Sequence, residues 1–241
     1  MQPIISRRAI YLLVLVLLAL AAAARAEYRE TSVAGGGSVA GRVYFASDYP
    51  PAETIRPDRD ADTCGIRIPN EQFVVDENSR GLANVVVRIE GITSGKPFET
   101  AKAQIEQVEC RYVPRVTVVR PGREFDIVNQ DPVLHNVHAY REDDTLFNLA
   151  QPFQGQASPQ TVNEAGIVRV ACDVHSWMQA WVVVLDNPYF EVTDPSGSFS
   201  ITDVPPGSYT VTMWHEALGS ASKTVVVEAG GSSEVSFEIG G

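Results

Sequence analysis

The stretch Cys172-Asp-Val-His175-Ser-Trp-Met178 carries a thiol, an imidazole and a thioether on a few consecutive residues. The apolar runs Ile167–Ala171 and Ala180–Leu185 flank it, and each predicts a strand. On a loop between two strands, the three-residue spacing lets the three side chains converge on one point. A second imidazole, His135, lies upstream at the end of another predicted strand.

Two imidazoles, one thiolate and one thioether form the ligand set of a blue-copper electron-transfer site. A weak axial Met beside a trigonal His2Cys plane suits both oxidation states of copper, so little has to move when an electron arrives. Zinc is a weaker candidate, because zinc sites rarely use Met. The plain alternative is a structural Cys172, buried as a small apolar residue, with unrelated His and Met residues nearby.

Short apolar runs separated by Gly and Pro predict the fold class, since no segment sustains a 3.6-residue period. This pattern is typical of an all-β protein built from sandwiches. Glu142–Gln160 is polar, contains two prolines and predicts a loop, as does Asp48–Asn70. The predicted divisions are a signal at 1–26, an N-terminal extension with strands at 27–81, a copper domain at 82–186 and a small sandwich at 187–241.

The N-terminus has the organisation of a secretory signal. Arg7 and Arg8 precede the apolar run Ala9–Ala24, and Ala24-Arg25-Ala26 fits the small-residue cleavage rule. We therefore expect a periplasmic or secreted protein that starts at Glu27 and keeps no stable membrane span. An uncleaved anchor is the alternative, although the apolar run is shorter than the roughly 20 residues that a span needs.

Charge and cysteine content narrow the function classes. Removing the three arginines of the signal takes the net charge from −11 to −14, which disfavours nucleic-acid binding through phosphates. The chain has three cysteines, an odd count for an exported protein. A thiolate ligand cannot also form a disulfide, so Cys172 is the natural unpaired residue and Cys64 is expected to pair with Cys110. Two free thiols are the alternative, and an oxidising compartment disfavours them.

The two ligand segments together resemble the cupredoxins, most closely the amicyanin group. The resemblance rests on His135-Asn136-Val137-His138 followed by Cys172, His175 and Met178, and it spans roughly residues 108–185. It departs from that group at Val174 and Ser176, where prolines flank the loop His. The missing prolines leave the expected reduction potential open.

This resemblance implies one type 1 copper ion, with His135, Cys172 and His175 as equatorial ligands and Met178 as the axial ligand. Asn136 would brace the loop and tune the thiolate through hydrogen bonds. His138 is not a ligand in such proteins. The resemblance also implies that His175 is a partly exposed edge for electron transfer, and that Val133, Leu134 and Trp177 form an apolar docking surface.

The C-terminal segment resembles carboxypeptidase regulatory-like, or transthyretin-like, domains. The similarity rests on Asp194-x-x-Gly197-x-Phe199 and on Val204-Pro-Pro-Gly207-x-Tyr209. Strands at Gly37–Phe45 and Val85–Ile89 are similar enough to belong to that fold, with the copper domain inserted. His215 has no second ligand near it in sequence and is interpreted as structural.

The sequence thus favours an exported blue copper protein that carries single electrons between redox proteins, such as a c-type cytochrome and a dehydrogenase. The alternative is a module that binds copper, a partner or a carbohydrate without transferring electrons. An enzyme is the weakest hypothesis, because four protein ligands leave no open coordination position for a substrate.

Overall fold

The computed structural model describes residues 27–46 and 49–240. The predicted signal at 1–26 lies outside the described residues. In the part that is described, no helix has the length and apolarity needed to cross a membrane.

Almost all regular structure in the described residues is strand, which confirms the all-β prediction. The single short helix among them, α1, spans Ala61–Cys64. The strands in chain order are β1 Arg29–Glu30, β2 Gly37–Phe45, β3 Thr54–Ile55, β4 Ile68–Pro69, β5 Val86–Ile89, β6 Ser94–Gly95, β7 Gln104–Val108, β8 Arg111–Val113, β9 Val116–Val119, β10 Glu124–Asn129, β11 His135–Arg141, β12 Asp144–Gln151, β13 Gln156–Thr161, β14 Gly166–Ala171, β15 Gln179–Val184, β16 Phe190–Val192, β17 Ser198–Val204, β18 Gly207–His215, β19 Gly219–Val227, β20 Ser232–Glu234 and β21 Phe237–Ile239.

Two of the sheets form a sandwich that we call the ligand sandwich. One sheet has the strand order β13-β10-β7-β8 and the other β12-β11-β14-β15-β9. Residues alternate between buried and less buried along β10, β11 and β14, so each strand turns one face inward. The enclosed core includes Ile105, Phe125, Val137, Val168 and Val182.

Two other sheets form the terminal sandwich, which takes strands from both ends of the described chain. Its sheets have the orders β16-β5-β18-β19 and β17-β2-β20, with β21 also pairing with β2. Because β2 and β5 precede the ligand sandwich while β16–β21 follow it, the ligand sandwich is an insertion in the terminal one. The predicted boundary at 82 therefore moves beyond β5, in agreement with the expectation that Gly37–Phe45 and Val85–Ile89 can belong to the C-terminal fold, whereas the predicted boundary at 187 lies between β15 and β16. Val86–Ile89 lies in the terminal sandwich and not in the copper domain, since β5 finds its apolar partners in β16 and β18.

The segment Glu142–Gln160, predicted as a loop, instead contains β12 and most of β13. These are edge strands of the two sheets of the ligand sandwich, and most of their side chains are exposed. Because these strands are exposed, their composition is polar, and for this reason the sequence predicted a loop. An edge strand tolerates Pro159 because one side of the strand needs no ladder hydrogen bond. The predicted loop Asp48–Asn70 likewise contains β3, α1 and β4, and β3 pairs with β4.

The two sandwiches pack against each other through a small apolar cluster and an ion pair. Val86, Val116, Val183 and Leu185 are buried there, and the rings of Trp181 and Trp214 lie 5.5 Å apart. An Arg115 Nη2 donates to Glu216 Oε2 at 2.9 Å, and both side chains are almost buried. Arg115 directly precedes β9 of the ligand sandwich, and Glu216 directly follows β18 of the terminal sandwich.

Candidate metal centre

Two neighbouring strands bring the first imidazole and the thiol together. His135 is the first residue of β11, Cys172 directly follows β14, and these strands pair with His138 opposite Ala171. The Tyr112 hydroxyl lies 2.9 Å from the carbonyl of Asn136 and 3.1 Å from that of Ala171, so it bridges both strands where the site begins.

The loop between β14 and β15 supplies the other side chains. The Met178 N–H donates to the His175 carbonyl at 2.9 Å, which closes a turn and directs the chain back into the core. The nearest ligand atoms of His135, Cys172 and His175 all lie within 4.8 Å of one another, and all three residues are buried. The two Nδ1 atoms are 3.0 Å apart, and Cys172 Sγ is 3.8 Å from His175 Nδ1. Met178, 1% exposed, lies in the same apolar cluster as Cys172.

The surroundings stabilise the ionised form of Cys172 relative to that of an isolated cysteine. Burial raises the pKa of this thiol, but hydrogen bonds from His135 and from nearby backbone amides outweigh burial, so that the pKa lies below its ordinary value. One of these amides is the Asn136 N–H, 3.4 Å from the sulfur. For His135, burial lowers the pKa, but hydrogen bonds with Asp131 and Cys172 outweigh it and raise the pKa.

A carboxylate lies against the outer nitrogen of each histidine. Asp131 Oδ2 is 2.8 Å from His135 Nε2, and the same carboxylate accepts the backbone N–H groups of Glu109 and Cys110. Asp60 Oδ2 is 2.9 Å from His175 Nε2. With both Nε2–H groups donating outward, the Nδ1 atoms are the ones that face Cys172. Carboxylates in this position orient the histidine ligands of metals and raise their basicity.

The expectation that His175 is a partly exposed edge is wrong. Its side chain is 0% exposed, because Asp60 and the indole of Trp177, with ring centroids 5.1 Å apart, cover it. Burial is the main reason why the pKa of His175 lies below its ordinary value, and Asp60 opposes this shift only in part. Of the predicted docking residues, Leu134 is 45% exposed, whereas Val133 and Trp177 are half-buried.

Asn136 connects the two ligand segments. Its backbone N–H points at Cys172 Sγ, and its side-chain oxygen accepts the Asp173 N–H at 3.0 Å. His138 lies away from the three ligand atoms, with Asp173 at 3.0 Å and Thr145 Oγ1 at 2.9 Å. It thus forms part of a polar network on the sheet surface.

Cys64 and Cys110 form a disulfide, which leaves Cys172 as the free cysteine among the described residues. The disulfide lies directly beside the site. A nitrogen of His175 is within 4.8 Å of both bonded sulfurs, and Cys110 Sγ is equally close to ligand atoms of Asp131 and His135.

Sequence reasoning missed Asp60 and Asp131. Asp131 stands four residues before His135, beside the strand-ending Pro132, and this spacing was the available signal. Asp60 sits in the charged run Asp58-Arg59-Asp60, which in sequence is indistinguishable from a solvated loop. Its one signal is its position four residues before Cys64, the cysteine that ties this segment to the ligand sandwich.

The donor set fits copper. Two imidazoles with inward-facing Nδ1 atoms, a thiol whose environment lowers its pKa and a buried Met are the ligands expected of a blue-copper site. The fold holds the ligand atoms of His135, Cys172 and His175 within 4.8 Å of one another.

Several solved structures of copper proteins are similar to part of this chain. A purple cupredoxin from Nitrosopumilus maritimus is 23% identical over 35% of this chain and 100% of its own, with a TM-score of 0.32. Amicyanin from Paracoccus versutus is 20% identical over 41% of this chain and 97% of its own, with a TM-score of 0.33. A copper-containing nitrite reductase from Thermus scotoductus is 18% identical with a TM-score of 0.32, and the match spans 24% of that enzyme.

A search of the curated proteins found no match. The family described as the carboxypeptidase regulatory-like domain matches residues 177–240. The match starts within the ligand loop and includes β15 of the ligand sandwich, while β2 and β5 of the terminal sandwich lie outside it. Residues 177–240 thus match the carboxypeptidase regulatory-like domain, and the solved structures to which the chain is similar include a cupredoxin and an amicyanin.

Proposed function

We propose that this chain is an exported type 1 copper protein that carries single electrons between redox proteins. The observation that carries the proposal is the buried cluster of His135, Cys172 and His175, whose ligand atoms lie within 4.8 Å of one another. His135, Cys172, His175 and Met178 would hold the ion, which would supply one-electron redox chemistry.

Bound copper would accept and release one electron, and the chain's own residues would keep the site unchanged during that exchange. His135 and Cys172 are anchored on paired strands, and Tyr112 bridges those strands at their ends. The Asn136 N–H supplies a hydrogen bond to the sulfur, which stabilises its negative charge. We propose a carrier and not an enzyme, because four protein ligands leave no position for a substrate.

The redox partner would be a protein such as a c-type cytochrome or a dehydrogenase. Leu134 supports this proposal, because it is 45% exposed and directly precedes the ligand His135. An apolar residue at the surface next to a ligand shortens the path from the metal to a docked partner.

A second candidate is copper binding without electron transfer, for storage or delivery. The burial of His175 beneath Asp60 favours this alternative, since it closes one route by which an electron would leave. Fast electron self-exchange of the copper-loaded protein would support the carrier, and copper binding without redox cycling would support storage.

The first experiment is the visible absorption spectrum of the mature protein after Cu(II) is added. We expect an intense blue thiolate-to-copper band that Cys172→Ala abolishes and that Met178→Leu shifts. Met213→Leu is a matched control, because Met213 is equally buried but lies in the core of the terminal sandwich. A protein that binds no copper would refute the proposed function, and one that binds Cu(I) without a blue band would favour storage or delivery.

A further inference from the structure

Asp60 reaches the metal centre from outside the ligand sandwich. It belongs to the segment that connects the terminal sandwich strands β2 and β5, yet its carboxylate lies 2.9 Å from His175 Nε2. The His175 side chain is 0% exposed, whereas Asp60 is 38% exposed. Asp60 thus lies between His175 and the solvent.

The backbone at Asp60 is in an uncommon conformation. Its φ of 51° and ψ of 34° lie in the left-handed region, which costs a residue with a Cβ on the order of 1 kcal/mol. Its carbonyl accepts the N–H groups of Thr63 and Cys64 and thereby starts α1. A residue kept in this conformation, with its carboxylate against a ligand, indicates a role beyond forming a turn.

The disulfide fixes this arrangement to the ligand sandwich. Cys64, four residues after Asp60, is bonded to Cys110, which is 0% exposed. Both sulfurs lie within 4.8 Å of a His175 nitrogen. The covalent link therefore prevents the Asp60 segment from moving away from His175 while the rest of the fold is intact.

Close contacts between polar side chains run across the site from Asp131 to Asp60. Asp131 contacts His135 Nε2 at 2.8 Å, the two Nδ1 atoms are 3.0 Å apart, and His175 Nε2 contacts Asp60. A carboxylate accepts and does not donate when ionised, so Asp60 holds the proton of His175 on Nε2. The lone pair on Nδ1 then points toward Cys172 Sγ, 3.8 Å away.

We propose that Asp60 is a positioning residue for the metal centre, held by the Cys64–Cys110 disulfide, which orients His175 for metal binding and closes its outer edge. This inference deepens the proposed function, because it concerns the same site. It also implies that a chain without the disulfide would release Asp60 and loosen His175 while all four proposed ligands stay unchanged.

The test compares Asp60→Asn and Asp60→Gly with Asp62→Asn. Asn and Gly both tolerate the left-handed conformation, so neither variant should disturb α1. Asp62 is exposed on the first turn of the same helix, so Asp62→Asn removes the same charge without losing a contact to His175. Cu(II) affinity is measured by competition with a chelator, and the reduction potential by voltammetry.

We expect Cu(II) affinity to fall by about 10- to 100-fold in Asp60→Gly, the range typical for loss of a group that orients a ligand, and by less in Asp60→Asn, whose amide oxygen can still accept the Nε2–H. The reduction potential should become more positive, because a nearby carboxylate stabilises Cu(II) more than Cu(I). Asp62→Asn should leave both quantities unchanged. If the Asp60 variants match Asp62→Asn in affinity and potential, the proposal is overturned.

A measurement on the metal-free protein separates this proposal from the proposed function. Nitrogen-15 NMR of the imidazoles should show His175 protonated on Nε2 in the wild type and in Asp62→Asn, and a mixture of tautomers in Asp60→Gly. An unchanged tautomer in Asp60→Gly would count against the role of Asp60, whatever metal binds. Conversely, a wild-type protein with the expected tautomer but no blue copper band would refute only the copper proposal.

The disulfide is tested with Cys64→Ser/Cys110→Ser. If this double variant folds, its potential and Cu(II) affinity should move in the same direction as in Asp60→Gly. Values equal to those of the wild type would overturn the role of the disulfide. If it does not fold, the Asp60 variants decide the proposal alone.

Discussion

At the scale of single residues, the buried histidines of this chain differ in the groups that they contact. His135, His175 and His215 are all almost completely buried, but the first two face each other across the site, whereas His215 packs against an aromatic ring. The His215 and Phe73 rings stack with centroids 5.7 Å apart, and the Ala217 N–H donates to His215 Nδ1 at 3.3 Å. These contacts agree with a structural interpretation of His215.

His215 should make stability depend on pH. Burial, helped by Arg115 and opposed by Glu216, lowers the pKa of His215 from 6.5 to about 4. The unfolded chain therefore binds this proton more readily, and the stability that neutral His215 contributes is lost as pH falls from 6.5 toward 4. Relative to His215→Gln, the free energy of unfolding of the wild type should fall by about 2–3 kcal/mol between pH 8 and pH 4.5.

Urea unfolding of the metal-free wild type and of His215→Gln at both pH values checks this expectation. The other histidines titrate in both proteins, so they cancel in the comparison. Parallel pH dependences of the two proteins would contradict it.

At the scale of elements, the terminal sandwich depends on close contact between β2 and the segment between β20 and β21, which contains Val235. A Cβ at Gly41 would lie 1.8 Å from the Val235 carbonyl oxygen, and the Val235 N–H donates to the Ala40 carbonyl at 2.9 Å. Gly41 also pairs with Phe199 of β17. A glycine at such a strand position marks a close approach of two backbones.

Gly41→Ala should therefore destabilise the terminal sandwich by about 3 kcal/mol, since the backbones must separate to admit a methyl group. Ser200→Ala, an exposed change on the neighbouring strand β17, is the control and should stay within about 0.5 kcal/mol of the wild type. Chemical unfolding followed by circular dichroism measures both. A Gly41→Ala protein as stable as the control would show that the backbone contact is not tight.

At the scale of the whole molecule, the Arg115–Glu216 pair connects the two sandwiches across an otherwise apolar contact. The side chains are 10% and 4% exposed. Removing one partner leaves the other charge buried without compensation, whereas replacing both with apolar residues removes that penalty.

Glu216→Gln should lower the free energy of unfolding by about 3 kcal/mol, and Arg115→Met/Glu216→Leu should regain most of that loss. Lys102→Met/Glu124→Leu is a control at an exposed ion cluster in which Lys102 also contacts Asp126, and it should change the free energy of unfolding by no more than about 1 kcal/mol. Thermal unfolding of the metal-free proteins separates these cases. If Glu216→Gln and Arg115→Met/Glu216→Leu lose the same free energy of unfolding, the ion pair itself contributes net stability. The loss in the single variant would then not come only from leaving Arg115 buried without a partner.

The sequence alone determined the all-β class, because alternation of apolar residues and the turn residues that interrupt it are local properties of the chain. It also identified the candidate ligand set, since Cys172, His175 and Met178 are close together in sequence and His135 stands at a strand end. The odd cysteine count pointed to the pair Cys64 and Cys110, which the structure joins.

Only the tertiary structure decided which strands complete the terminal sandwich and what surrounds His175. Val86–Ile89 looks the same in sequence whichever sandwich it joins, because its burial pattern does not identify its partners. Asp60 is 115 residues from His175, and its charged neighbourhood carries no sign of a buried contact. A ligand's outer environment depends on segments distant in sequence, and chain packing alone brings those segments together.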